Sequence, residues 1–96
     1  MKAITENEFK DLSSGTVVVQ FSATWCGPCK VLSNLIDVNE DKFVNQVYKI
    51  DIDEAPTLSQ ALRIRSVPTL IRFEDHVEVK RVVGNQPLES LIELTS

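Results

Sequence analysis

The chain has 96 residues, 43% of them hydrophobic, and ten Lys+Arg against fourteen Asp+Glu give a formal net charge of −4. This length suits one domain over residues 1–96 with a core of its own, and a modestly acidic chain without a basic run is a poor match for nucleic-acid binding through phosphates. No apolar run approaches the ~20 residues of a membrane span, and Met1-Lys2-Ala3-Ile4-Thr5 leads into polar residues, not an apolar signal segment, so a cytoplasmic protein without a membrane partner is expected.

Lys2-Ala3-Ile4 suits a short first strand. Thr5-Glu6-Asn7-Glu8 has the form of a capping box, predicting a short helix through Phe9 and Leu12 that Ser13-Ser14-Gly15 ends. Val17 to Ser22 is β-branched and apolar on both faces, the pattern of a central strand. A helix is expected from Pro28 to Asn39, with Val31, Leu32, Leu35 and Ile36 as its apolar face. Val47-Tyr48-Lys49-Ile50-Asp51 reads as a strand, and Pro56 opens a short helix carrying Leu58, Ala61 and Leu62. Thr69–Glu74 and Val77–Val83 read as two strands joined tightly at Asp75-His76, with His76 a hairpin-tip residue. Gly84 breaks the last strand. Asn85-Gln86-Pro87 then starts a closing helix with Leu88, Leu91, Ile92 and Leu94. This order predicts an α/β fold: a mixed sheet, parallel early and antiparallel late, flanked by helices.

Both cysteines lie in Trp25-Cys26-Gly27-Pro28-Cys29-Lys30, where the strand-like run hands over to the helix-like one. Unpaired backbone N–H groups and the helix dipole favour a thiolate there, and a stabilised thiolate is reactive. Two cysteines are too few for a disulfide scaffold. Tetrahedral zinc wants four Cys or His ligands; this chain has two Cys and the distant His76, so only a site shared between two copies would serve. Asp51, Asp53 and Glu54 read as a solvated strand-end loop, lacking the spacing and glycine of a calcium loop. Redox chemistry is preferred to metal binding and to a pair of buried structural thiols.

Phe21-Ser22-Ala23-Thr24-Trp25-Cys26-Gly27-Pro28-Cys29-Lys30 resembles the active-site segment of the thioredoxin family. Ser66-Val67-Pro68-Thr69-Leu70 resembles that family's cis-proline loop, and Gly84 matches the glycine after its last strand. The resemblance covers the whole chain. It implies the thioredoxin fold, with its central mixed sheet and C-terminal antiparallel hairpin, and a monomeric protein-disulfide reductase. Its partners would be disulfide-containing proteins and a flavin-containing thioredoxin reductase. No cofactor would be bound beyond the redox-active Cys26–Cys29 disulfide, and NADPH would act only through the reductase.

Carried over residue by residue, Cys26 is the nucleophile and Cys29 the resolving thiol. Gly27 and Pro28 fix the dithiol backbone, and Lys30 adds charge or is an ordinary exposed lysine. Trp25, Val67, cis Pro68, Val83 and Gly84 form a shallow docking surface, with the Val67 backbone open to an extended substrate. Trp25 as an ordinary core aromatic and Gly84 as a simple turn residue are the alternatives.

The pattern breaks at two positions. Gln20 stands where thioredoxins usually keep a buried Asp, with Lys49 matching a lysine opposite it, so the Asp's role as proton acceptor does not carry over. Asn34 replaces a kinking proline, which predicts a straighter helix. Besides a general reductase, an oxidoreductase dedicated to one partner and a non-catalytic binding subunit remain as readings. A glutaredoxin is disfavoured, because Gly27-Pro28 differs from that family's Pro-Tyr.

Overall fold

The computed structural model describes residues 1–12 and 15–96, so the helix stop expected at Ser13-Ser14 lies outside the described residues. The elements run β1 (Lys2–Ala3), α1 (Glu6–Asp11), β2 (Thr16–Ser22), α2 (Gly27–Val38), β3 (Val47–Asp51), α3 (Pro56–Ala61), β4 (Thr69–Glu74), β5 (Val77–Val83) and α4 (Leu88–Thr95). The sheet order is β1-β3-β2-β4-β5. β3 pairs parallel with both β1 and β2, whereas β4 pairs antiparallel with β2 and β5.

β2 is central because both of its faces are covered. Its residues alternate across the sheet. Val17, Val19 and Phe21 join Phe9 of α1, Ile50, Ile71 and Phe73 in one core. Val18 faces the other way, into a core with Leu32 and Ile36 of α2 and Leu91 and Leu94 of α4. Burying each such side chain contributes roughly 1.5–3 kcal/mol, so a helix is needed on each face. Gln20 has the parity of Val18 and is therefore driven under α2.

Local chemistry sets the element ends. The Thr5 hydroxyl accepts from the Glu8 amide at 3.0 Å, and the Glu8 carboxylate accepts from the Thr5 amide at 3.0 Å, closing the capping box. At the hairpin, Asp75 and His76 take φ of 51° and 67°, the paired left-handed conformations of a type I′ turn. Neither is glycine. Asp75 is held by Gly15, whose N–H donates to its carboxylate at 2.8 Å and whose carbonyl accepts its amide at 3.0 Å. His76 meets the Phe9 ring edge-on at 5.7 Å. β5 is one of the two sheet edges; a register shift between Arg72 and Phe73 and the Arg81–Glu78 ion pair at 2.6 Å interrupt what would otherwise be an open pairing edge.

One sequence expectation is corrected. Val31 is 65% exposed, while the buried stripe of α2 is Cys29, Leu32, Ser33 and Ile36. That is the i, i+3, i+4, i+7 set of a helix face. An apolar stripe alone leaves out Ser33, which is polar but buried, and includes Val31, which is apolar but exposed. α2 itself runs unbroken from Gly27 to Val38, with Asn34 on its exposed side.

Candidate active site

β2 ends at Ser22, and a turn closed by the Cys26 amide on the Ala23 carbonyl at 3.2 Å delivers the chain into α2. Cys26 is the N-cap, with extended φ and ψ of −97° and 109°, and its Sγ accepts the Cys29 amide at 3.1 Å. The sulfur thus occupies the place that Ser, Thr or Asp oxygens take at helix starts. A thiolate in that position gains from the same N–H and from the helix dipole. Cys26 and Cys29 are joined as a disulfide with Cα atoms 5.3 Å apart. Both are buried, Cys26 at 5% exposure and Cys29 at 2%. Ala23, Ile52 and Val67 pack around the pair. Gly27 and Pro28, both exposed, form the first helical positions between them.

The Val67–Pro68 peptide is cis. The Val67 carbonyl lies 3.7 Å from Cys26 Sγ, and the Val67 N–H has no backbone partner among the described residues. The Pro68 carbonyl accepts the Gly84 amide at 2.8 Å, and the Thr69 hydroxyl ties back to the Ser66 carbonyl at 2.7 Å. Gly84 has φ of 84°, a left-handed conformation that a side chain would strain. Val83 pairs with Thr69 and is 55% exposed.

Trp25 is 68% exposed, so it is not a core aromatic. Its Nε1 donates to Asp53 Oδ2 at 2.9 Å. Asp53 is a functional residue that the sequence does not single out, because its acidic stretch reads as a solvated loop. Asp51 caps a short 3-10 turn by accepting the Asp53 amide at 2.9 Å, and this fixes the turn from which Asp53 reaches the indole. A signal existed, since an indole N–H has one donor and seeks one acceptor, but sequence spacing does not show that residues 25 and 53 meet. Replacing Asp53 with Asn should lower kcat/KM toward protein disulfides roughly twofold to tenfold by weakening a charge-assisted hydrogen bond. Trp25 fluorescence anisotropy should fall with it. Unchanged anisotropy would show that Asp53 does not hold the ring.

Beneath the dithiol, Gln20 is completely buried. It lies beside Lys49 of β3 and Leu70 of β4 in the sheet register. Its Nε2 donates to the Cys29 carbonyl at 3.3 Å, and its Oε1 accepts from Ser33 Oγ at 3.2 Å. Ser33 is the second residue that the sequence does not single out. Lys49 is half-buried and Lys30 exposed; they line an open cleft of about 320 Å³ together with Ser22, Thr24, Cys29 and Asp51. Among the described residues no group of three or more His, Cys, Asp or Glu is placed to hold a metal ion, and no helix is long and apolar enough to cross a membrane.

Two thiols that join within one helical turn take up and release two electrons as a unit, the chemistry of a dithiol–disulfide oxidoreductase. The thioredoxin family profile matches residues 1–96, and the chain belongs to that family. It is 38% identical over 94 residues to a thioredoxin of Staphylococcus saprophyticus, covering 95% of this chain and 90% of that one. It is 37% identical over 98 residues to a thioredoxin of Chlamydia trachomatis serovar D, covering 100% and 96%. Among solved structures, a mutant thioredoxin from Halobacterium salinarum superposes with a TM-score of 0.87 at 35% identity, covering 98% of this chain and 86% of the other. Plasmodium falciparum thioredoxin superposes with a TM-score of 0.88 at 27% identity over the whole of both chains.

Proposed function

We propose that this single-domain, monomeric thioredoxin is a general cytoplasmic reductase of protein disulfides, recharged from NADPH through a flavin-containing thioredoxin reductase. The observation that carries the reading is Cys26 Sγ at the helix N-cap, accepting the Cys29 N–H at 3.1 Å. The Cys26 thiolate attacks one sulfur of a substrate disulfide and expels the other, forming a mixed disulfide. Cys29 then attacks Cys26, releases the reduced substrate and leaves the Cys26–Cys29 bond. The Val67 N–H, without a backbone partner among the described residues, and the exposed Trp25 and Val83, with Pro68 and Gly84 beside them, support docking of an extended segment as an added strand. Insulin-disulfide reduction driven by NADPH and several unrelated thioredoxin reductases tests this. Turnover with most of them is expected, whereas turnover with none would remove the general role.

Gln20 favours a second reading, an oxidoreductase dedicated to one partner. Without a buried carboxylate beneath them, both thiolates are less disfavoured, so the dithiol gains and the protein is expected to be less reducing than relatives carrying Asp. Lys49 and Lys30, neither of them ion-paired among the described residues, act in the same direction. Equilibration against glutathione, at a pH high enough to ionise the introduced carboxyl, should show Gln20→Asp to be more reducing than the unaltered protein. An Asp variant that is equally or less reducing would sink the argument.

A further inference from the structure

Ser33 follows Cys29 by one helical turn, and a helical serine often returns its hydroxyl to the carbonyl four residues back. That carbonyl belongs to Cys29. Here it accepts Gln20 Nε2 at 3.3 Å, and the Ser33 hydroxyl donates instead to Gln20 Oε1 at 3.2 Å. All three residues are withdrawn from water, at 2%, 0% and 8% exposure for Cys29, Gln20 and Ser33. A carbonyl oxygen can only accept, so the amide must turn Nε2 toward Cys29 and Oε1 toward Ser33, and the serine must donate. Cys29 is thereby held at both ends of its backbone: its N–H donates to Cys26 Sγ at 3.1 Å, and its carbonyl is fixed through Gln20.

We propose that Ser33 is a positioning residue for the resolving step, fixing the Gln20 amide so that the Cys29 sulfur stays aligned on Cys26 in the mixed disulfide. This rests on the reading of Cys29 as the resolving thiol. In that step the Cys29 thiol gives its proton to water and its thiolate attacks Cys26 Sγ. The Cys26–Cys29 bond forms, the bond from Cys26 to the substrate sulfur breaks, and that sulfur leaves as a thiolate and is protonated by water. The earlier attack by Cys26 needs the helix N-terminus and leaves the Cys29 carbonyl uninvolved. Alignment of attacking and attacked atoms governs the rate of such an intramolecular step, so loss of Ser33 slows the second step and spares the first.

Rapid-quench kinetics on a peptide disulfide separate the two steps. For Ser33→Ala, attack by Cys26 should stay within about twofold while resolution slows roughly tenfold. Ser33→Thr, which keeps the hydroxyl, should restore resolution. In a Gln20→Met background, Ser33→Ala should have no further effect, because the amide it orients is gone. Lys30, Lys49 and Asp51 line the same cleft as Cys29 and are the same in every variant. The pH midpoint of resolution should therefore hold while its plateau falls. Equal slowing of both steps, no slowing of resolution, or an undiminished Ser33→Ala effect in the Gln20→Met background would each overturn the proposal. Cys29→Ser separates the underlying reading from it: that variant should stall at the mixed disulfide, and if it does not, the resolving assignment itself fails.

Discussion

Replacing Cys26 with serine is expected to lower disulfide reduction at least about a thousandfold, the scale on which loss of a catalytic nucleophile acts. The loss should be chemical and not structural. Serine is among the preferred N-cap residues, so its hydroxyl can accept the Cys29 amide in place of the sulfur and α2 should start as before. What disappears is the polarisable thiolate that the helix N-terminus stabilises. The chain has two cysteines, and Cys29 lies deeper, at 2% exposure, so it is a poor substitute for the attacking sulfur. Steady-state reduction of a protein disulfide, with urea denaturation of the reduced forms as a check on folding, measures this. Activity retained within tenfold would mean that Cys26 is not the attacking group.

Gln20→Glu is expected to make stability steeply dependent on pH. The variant is nearly isosteric, but it places a carboxyl in a fully buried site with one oxygen against the Cys29 carbonyl and the other near the Ser33 hydroxyl. Only the protonated acid can donate as Nε2 does. Burial and the facing carbonyl both disfavour the carboxylate, and Lys49 beside it in the register, only half-buried, offsets part of this, so the folded pKa rises above the unfolded value of about 4.3. Below that unfolded value both states carry the proton and the variant should approach the stability of the unaltered protein. As pH rises toward the folded pKa, the unfolded chain ionises and the folded chain does not, so stability falls. With a folded pKa at or above 7, the loss by pH 7 is about 3–4 kcal/mol. Urea titrations of both proteins at pH 4 and pH 7 give the difference, in which the other titrating groups cancel. A difference independent of pH would place residue 20 in contact with water.

Much of the fold was legible because its rules are local. Thr5 and Glu8 carry their own capping geometry, Val17, Val18, Val19 and Phe21 have the apolar, β-branched and aromatic character of a central strand, and Pro28 after a strand marks a helix start. The turn at Asp75-His76 was legible in length but not in mechanism. Its two left-handed residues rely on Gly15, far away in sequence. The Cys26–Cys29 pair was legible in the same way, because three residues at a helix start bring two sulfurs together.

The supporting groups were not. Asp53 meets Trp25 only after β3 and its 3-10 turn are laid beside the active-site loop. Ser33 is polar and so has no place in an apolar stripe, although its position on the buried face follows from Cys29, Leu32 and Ile36. Gln20 was noticed as a departure from the family pattern. What it does followed only from the sheet register, which sets it under α2 with a carbonyl on one side and a hydroxyl on the other. Tertiary partners of polar side chains are what spacing conveys least.

The order of the two cysteines is the claim on which the rest stands. It is tested most directly by mixing Cys29→Ser with a disulfide peptide and mapping the trapped adduct by mass spectrometry. A stable mixed disulfide on Cys26 is expected, forming at close to the unaltered protein's rate of attack. Absence of that adduct, with substrate still turned over, would contradict it.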